Sequence, residues 1–553
     1  MRSAAVLWAM VRSVPWAMAC SFVGDRRVPR GRATRGGSRP SQSVTPRRSL
    51  APGCGIARTA VHTRRTMIAL LAATPILVAV LVLVFGRPAT WAAAAALVTA
   101  AAAALLAFRT PAGVLAASGA DYAPLLAEVL LILLFGMILA RLLEATGAMA
   151  LLSRWLQDAS TSVPAGTALV VFGVVPFAES VTGFGIGITV GIPILRRLGH
   201  RPAPAALLGL LGLTAVPWGA LGPGTAVAAS LTGLGLDELG VATAWVNALP
   251  VAVAVVAVAV LCGARRDPRA AVPVFAAGAV LWAGVLGANI LVGTPPAGVL
   301  GSLSVILVLL LSARLRGARL RGTRRTVLAA VPYLVLTCGL LAAQALAGLL
   351  DAVWLDVLAS PPVWLLAACL VAVPAAPGPV DGPAVVARAA RAWVPVGVAT
   401  GLFMMLGWLM TATGMSAAIG AALAVLGNAP GPLLLALGGI VAGSNTGANA
   451  MFAGTVASMA ESTGASVLGL VAVGNAAAAF ANIATPPRVA LAVQVGAGDE
   501  APAGGGEDTA DGCRTDPAAQ RAELERAVVR VQRATVLCVL AATVPLAVLA
   551  ALL

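Results

Sequence analysis

Between Ala392 and Ala460 the chain runs for 69 residues without one Asp, Glu, Lys or Arg. No water-soluble domain leaves so long a stretch uncharged. Apolar runs of about 20 residues, each long enough to cross a bilayer, recur from Met67 to the C-terminus. In hydrocarbon every backbone N–H and C=O must be bonded inside the protein, so these runs must be helices, or broken helices sheltered by neighbours. A β-barrel would show short strands of alternating polarity, and these runs are too long and too uniform for that. The predicted fold class is an all-α polytopic membrane protein. Several apolar segments are too short to cross alone, among them 166–178, 183–195 and 430–443. Pairing the short ones as hairpins leaves about 11 to 14 crossings, with broken or re-entrant helices near the midplane.

The formal charge of +16 suggests nucleic acid until its distribution is considered. Residues 1–66 hold 13 Arg and one Asp, a net +12, which leaves +4 for the rest of the chain. Arg without any Lys, with abundant Ala and Gly, reads as compositional bias, so no nucleic-acid partner is expected. Arg12 interrupts any secretory apolar core, and an Arg-rich, acid-poor leader resembles an organelle transit segment. The preferred reading is a start at Met67, which directly opens a span behind His62, Arg64 and Arg65. The expected organisation is a first transmembrane half over 67–313, a cytoplasmic basic loop at 314–326, and a second half over 327–495. A polar loop at 496–533, disordered over 496–516, and a final helix at 534–553 complete it. The seven Cys form no close pair and there are two His, so neither a metal site, a cofactor nor a disulfide framework is expected. The Arg clusters at 196–201, 265–269, 314–325 and 526–533 are placed on the cytoplasmic side.

Two segments, 179–224 and 443–488, share an order of features. Each opens with a Thr-Gly pair among small residues, continues as a short apolar run, a break and a longer run, and ends in Gly and Pro. Thr182 to Gly222 and Thr446 to Pro486 both span 40 residues. The first break reads RRLGHR and the second MAESTG, so the two are expected on opposite membrane faces, as in an inverted repeat. Half-helix N-termini offer N–H donors and partial positive charge, which suit a carboxylate. Gly183, Gly185 and Gly187 permit close backbone approach, while Ser444, Asn445, Thr446 and Asn449 offer donors and acceptors without full charge.

At these residues the sequence resembles the L-lactate permease family of proton-coupled monocarboxylate transporters. The resemblance lies in FAESVTGFGIGITVGIPILRRLG, GSNTGANAMFAGTVASMAESTG and VAVGNAAAAFANIATPPRVALA, within 165–225 and 435–495. It implies secondary transport of a small monocarboxylate such as lactate or glycolate. It also implies that the Ser-Asn-Thr piece is a hairpin tip of an elevator-type fold. Family members carry a Lys where Asn482 stands here, and Arg488 follows close behind; Ser180 and Val181 depart as well, so the chain reads as a divergent member.

Glu179 is the expected proton-coupling residue, alone and acidic in a charge-free stretch from 165 to 195. A charge at the bilayer centre costs roughly 2.5–3.5 kcal/mol on insertion scales, so it is kept for a function. Thr182, Gly183, Gly185, Ser444, Asn445, Thr446, Asn449 and Arg488 are the expected substrate-binding residues, with Arg488 facing the carboxylate. Glu128 reads as interfacial, Arg141 and Glu144 as a local ion pair, and Glu461 as a loop acid. The expected partners are a small organic anion, the lipid bilayer and a coupling proton, with Na⁺ and a homodimer left open. The expected location is a bacterial inner membrane. The competing readings are a sodium- or proton-coupled carrier of another organic anion such as a dicarboxylate, a channel, and a membrane-embedded enzyme. The enzyme reading lacks any cluster of paired acids, Ser-Lys or His within the spans.

Overall fold

A computed structural model describes residues 53–158, 162–183, 185–264, 266–317, 322–350, 352–376, 378, 380–498 and 517–553. Residues 1–52 of the expected leader, most of the 496–516 loop and part of the 314–326 loop lie outside the described residues, while residues 53–66 are helical. Among the described residues every element is helical. Eleven helices are long and apolar enough to cross a membrane, or twelve if one bent pair counts as a span. That falls within the expected range.

The chain opens with α1 (Gly53–Val84), α2 (Ala89–Ala103, closed by a wide turn at Ala104–Phe108), α3 (Ala112–Ala145) and a short amphipathic α4 (Ala148–Asp158). A first interrupted unit follows. It comprises α5 (Val163–Leu169), α6 (Val175–Thr182), a glycine tip and the returning α7 (Ile186–Arg197). Next come α8 (Pro202–Leu211), a 3₁₀ stretch (Leu213–Leu221) and α9 (Pro223–Thr232), the first two bent by 52°. Helices α10 (Leu236–Val246), α11 (Ala248–Leu261), α12 (Ala271–Leu291), α13 (Ala297–Leu315), α14 (Arg324–Ala347), α15 (Val353–Leu358), α16 (Pro361–Ala372), α17 (Gly382–Ala412) and α18 (Met415–Leu423) lead to a second unit. There α19 (Pro430–Ala442) turns at Gly443 and Ser444 into α20 (Asn445–Thr463). Helix α21 (Val467–Ala481) then breaks at Asn482–Ala484 before α22 (Pro486–Ala497), and α23 (Pro517–Leu552) ends the chain.

Local chemistry explains the interruptions. Pro176 has no N–H for the carbonyl four residues back, and the preceding turn widens into a π-helix at Val170–Val174. Gly183 has φ 69° and ψ −161°, a region open to glycine and strained for other residues. Gly443 ends α19 in the left-handed conformation, and the Ser444 hydroxyl caps α20 by accepting from the Gly447 N–H at 3.4 Å.

Four helices start well before their expected apolar spans: α1 at Gly53 rather than 67, α3 at Ala112 rather than 123, α17 at Gly382 rather than 392, and α23 at Pro517 rather than 534. Hydropathy delimits what lipid covers, whereas helical hydrogen bonding continues into water through residues such as Asp121, Arg391 and Glu523. The Arg141–Glu144 pair stands at 2.8 Å on an exposed face, as expected. Glu128 accepts from the Ser360 hydroxyl at 2.8 Å.

Small residues let the central helices touch backbone to backbone, as membrane packing requires. Gly407 of α17 sits against the Ala450 carbonyl of α20, and Gly439 of α19 against that of Ala478 on α21. Helix α17 packs on α2, α3 and α20, joining the early helices to the second interrupted unit. Helix α23 packs on α8, α11, α19, α21 and α22, and its buried Gln532 donates to the Ala484 carbonyl at 2.6 Å. Large apolar side chains such as Leu105, Leu106 and Leu311 stay exposed on the periphery, where lipid would cover them.

A methyl group at Gly407 would collide with main chain that cannot retreat. Gly407→Ala is expected to destabilise by about 1–3 kcal/mol, read as a lowered Tm in detergent. Gly113→Ala, where nothing lies near the added carbon, is expected to leave Tm unchanged or slightly raised.

Candidate functional site

The two interrupted units meet around one cavity of about 390 Å³. Helix α6 and the first tip contribute Glu179 and Gly183, and the start of α9 contributes Pro223 and Gly224. The second tip contributes Gly443, Ser444, Asn445, Thr446 and Gly447, and α22 contributes Arg488. Further lining comes from residues 88–90, Leu133 of α3, and Pro395, Val396, Ala399, Thr400 and Phe403 of α17.

Glu179 is buried, and both its carboxylate oxygens accept from the Gly185 N–H, at 3.2 and 3.0 Å. The acid therefore neutralises the free N-terminal end of α7. Arg488 answers it from the other unit. Its Nη2 donates to the Gly443 carbonyl at 3.3 Å, at the C-terminal end of α19. Its Nη1 lies 3.7 Å from Glu179 Oε1. That separation is an ion pair without a hydrogen bond, and Nη1 has no hydrogen-bond partner. Each charge thus pins the tip of its own unit, and the pair ties the two tips together. Among the described residues lining the cavity, Arg488 is the one cation and Glu179 the one anion.

The N-terminal turns of α9 and α20 line the same space. Gly224 in the first turn of α9 leaves so little room that a Cβ there would stand 2.6 Å from the Asn445 amide nitrogen. Behind this contact lies a polar knot centred on Asn475 of α21, which is fully buried. Its carbonyl oxygen accepts from the Asn445 and Asn449 amides at 3.0 and 2.9 Å. Its amide donates to the Thr225 and Thr243 hydroxyls at 3.1 and 3.2 Å. One side chain with its full hydrogen-bonding capacity in use holds α9, α10 and α20.

Of the residues expected from sequence, Glu179, Gly183, Ser444, Asn445, Thr446 and Arg488 line the cavity. Thr182, Gly185 and Asn449 do not. The Thr182 hydroxyl is turned back onto the Ala178 carbonyl at 2.6 Å, because a buried hydroxyl in a helix finds its nearest acceptor four residues earlier. Gly185 supplies the N–H that holds Glu179, and Asn449 belongs to the knot. Sequence reasoning missed Asn475, whose signal is a lone amide inside an alanine run. It also missed the α17 wall, where apolar residues in an apolar chain give no signal.

The sequence profile of the L-lactate permease family matches residues 68–321 and 322–500. No curated protein matches the chain.

Loss of the knot should be felt as a unit. Asn475→Leu is expected to cost on the order of 3 kcal/mol, because several buried groups lose their partner together. Thr243→Val, which removes one acceptor, is expected to cost about 1 kcal/mol. Thermal unfolding in detergent separates the two, and equal losses would deny the knot its cooperative character.

Proposed function

The chain belongs to the L-lactate permease family, and from that premise we propose that it carries a small monocarboxylate, lactate or glycolate, across a bacterial inner membrane together with a proton. The observation that carries this reading is the Glu179–Arg488 pair in a cavity between half-helix N-termini.

The pair supplies a coupling rule. With Glu179 ionised, Arg488 is engaged and the empty site is neutral. A proton on Glu179 removes the competitor, and Arg488 turns its open Nη1 to the substrate carboxylate, assisted by the Ser444 hydroxyl and the first N–H groups of α20 and α9. The loaded site, with neutral acid, cation and bound anion, is again neutral. Proton without anion, or anion without proton, leaves an uncompensated charge in a poorly solvated cavity, at a cost of several kcal/mol. The allowed states are thus empty and doubly loaded. One proton with one anion moves no net charge, so each unit of pH gradient supplies about 1.4 kcal/mol whatever the membrane potential.

Electrostatics favours H⁺ over Na⁺ as the coupling ion. Two helix N-termini and an arginine face the cavity, and the Asn475 carbonyl oxygen is already engaged by amide N–H groups. A dicarboxylate is less well served, since its second carboxylate would meet no second cation among the described lining residues. The two re-entrant units are read as inverted copies, with the Arg196, Arg197 and Arg201 break on the cytoplasmic side and the Glu461 break opposite.

In proteoliposomes, Glu179→Gln is expected to abolish lactate accumulation driven by an inward proton gradient while retaining lactate exchange. Uptake with unchanged pH dependence in that variant rules the coupling role out. Arg488→Lys, which keeps the charge but loses the planar fork, is expected to raise KM roughly tenfold. Arg488→Ala is expected to lower uptake by about 100-fold or more.

A further inference from the structure

The cavity lining is of two unlike kinds. One comprises the ion pair and the polar tips. The other, an apolar pole, comprises Leu133, Val216, Val396, Ala399 and Phe403, with Thr400 next to Ala399. Thr90 adds little polarity there, because its hydroxyl is engaged by the Pro395 carbonyl at 3.3 Å. A three-carbon acid anchored on Arg488 reaches only part of a space of about 390 Å³. Its methyl group leaves the apolar pole to water, which finds few partners on such walls and is readily displaced by an apolar group. Cavities of about 300–1,000 Å³ enclose ligands considerably larger than lactate.

Resting on the permease reading above, we propose that the site takes longer aliphatic monocarboxylates, of about four to six carbons, with the tail lying along α17. Ala399 and Phe403 set the length of tail accepted. They stand one helical turn apart on the same face of α17, and both are buried. Phe403 also backs the start of α20, 3.9 Å from where a Cβ on Gly447 would stand. Tail length is thus read beside the tip that holds the carboxylate.

The test is inhibition of labelled L-lactate uptake in proteoliposomes by a series with a constant head group: glycolate, 2-hydroxybutyrate, 2-hydroxypentanoate and 2-hydroxy-4-methylpentanoate. Apparent affinity is expected to rise about fourfold per methylene, the factor equivalent to about 0.8 kcal/mol. Ala399→Leu fills the apolar pole and is expected to collapse the ratio of long-chain to short-chain affinity. Phe403→Ala is expected to shift the optimum to a longer tail, and Ala399→Leu carries the test alone if that variant fails to fold. Inhibition that weakens from lactate to 2-hydroxybutyrate and beyond, or a chain-length profile unmoved by Ala399→Leu, overturns the tail assignment while leaving lactate transport standing. Absence of proton-driven lactate uptake in the unaltered protein overturns the permease reading itself.

Discussion

A helix interrupted inside a bilayer leaves N–H and C=O groups that hydrocarbon cannot bind, and the organisation of this protein follows from how those groups are satisfied. At the first tip the Glu179 carboxylate accepts from Gly185 at the start of α7. At the second, the Arg488 guanidinium donates to Gly443 at the end of α19. Both side chains are largely buried, and each charge would be costly alone. Each is stabilised by a helix end of opposite polarity, and then by the other. The same groups that make the interruptions tolerable therefore place one acid and one cation side by side in the cavity lining.

Neutral amides and hydroxyls do the remaining work. Asn475 joins α9 and α10 to α20 without introducing charge beside the ion pair. Glycine and alanine bring the helices close enough for such short side chains to reach each other, as at Gly224 and Asn445. A larger residue at these contacts would separate the two half-helix N-termini and disperse the positive potential they share.

Much of this was legible in the sequence, for specific reasons. An acid in a long uncharged stretch identifies itself, so Glu179 could be named at once. Arg488 followed from a resemblance and from the chemistry of carboxylates. Their proximity could not be read, because no local pattern reports which distant residues share a depth and a direction. Thr182 and Asn449 carried the right chemistry in the right motifs, yet their side chains satisfy nearby groups instead of facing the cavity. The wall formed by Val396, Ala399 and Phe403 was invisible for the opposite reason: its residues are of the commonest kind in the chain. Helix ends were misjudged wherever the backbone continued past the lipid, since hydropathy senses solvent and not hydrogen bonding.

The contact between Gln532 of α23 and the Ala484 carbonyl bears on biosynthesis. Chains emerge from the ribosome N-terminus first, so one of the braces on the break that precedes Arg488 is made after everything else. A nascent chain can insert both tips and most of its crossings before the arm that carries the guanidinium is fixed. Until the last helix docks, the arm that carries Arg488 lacks part of its backing, so the two charges of the cavity reach their final spacing only when the whole chain has been made.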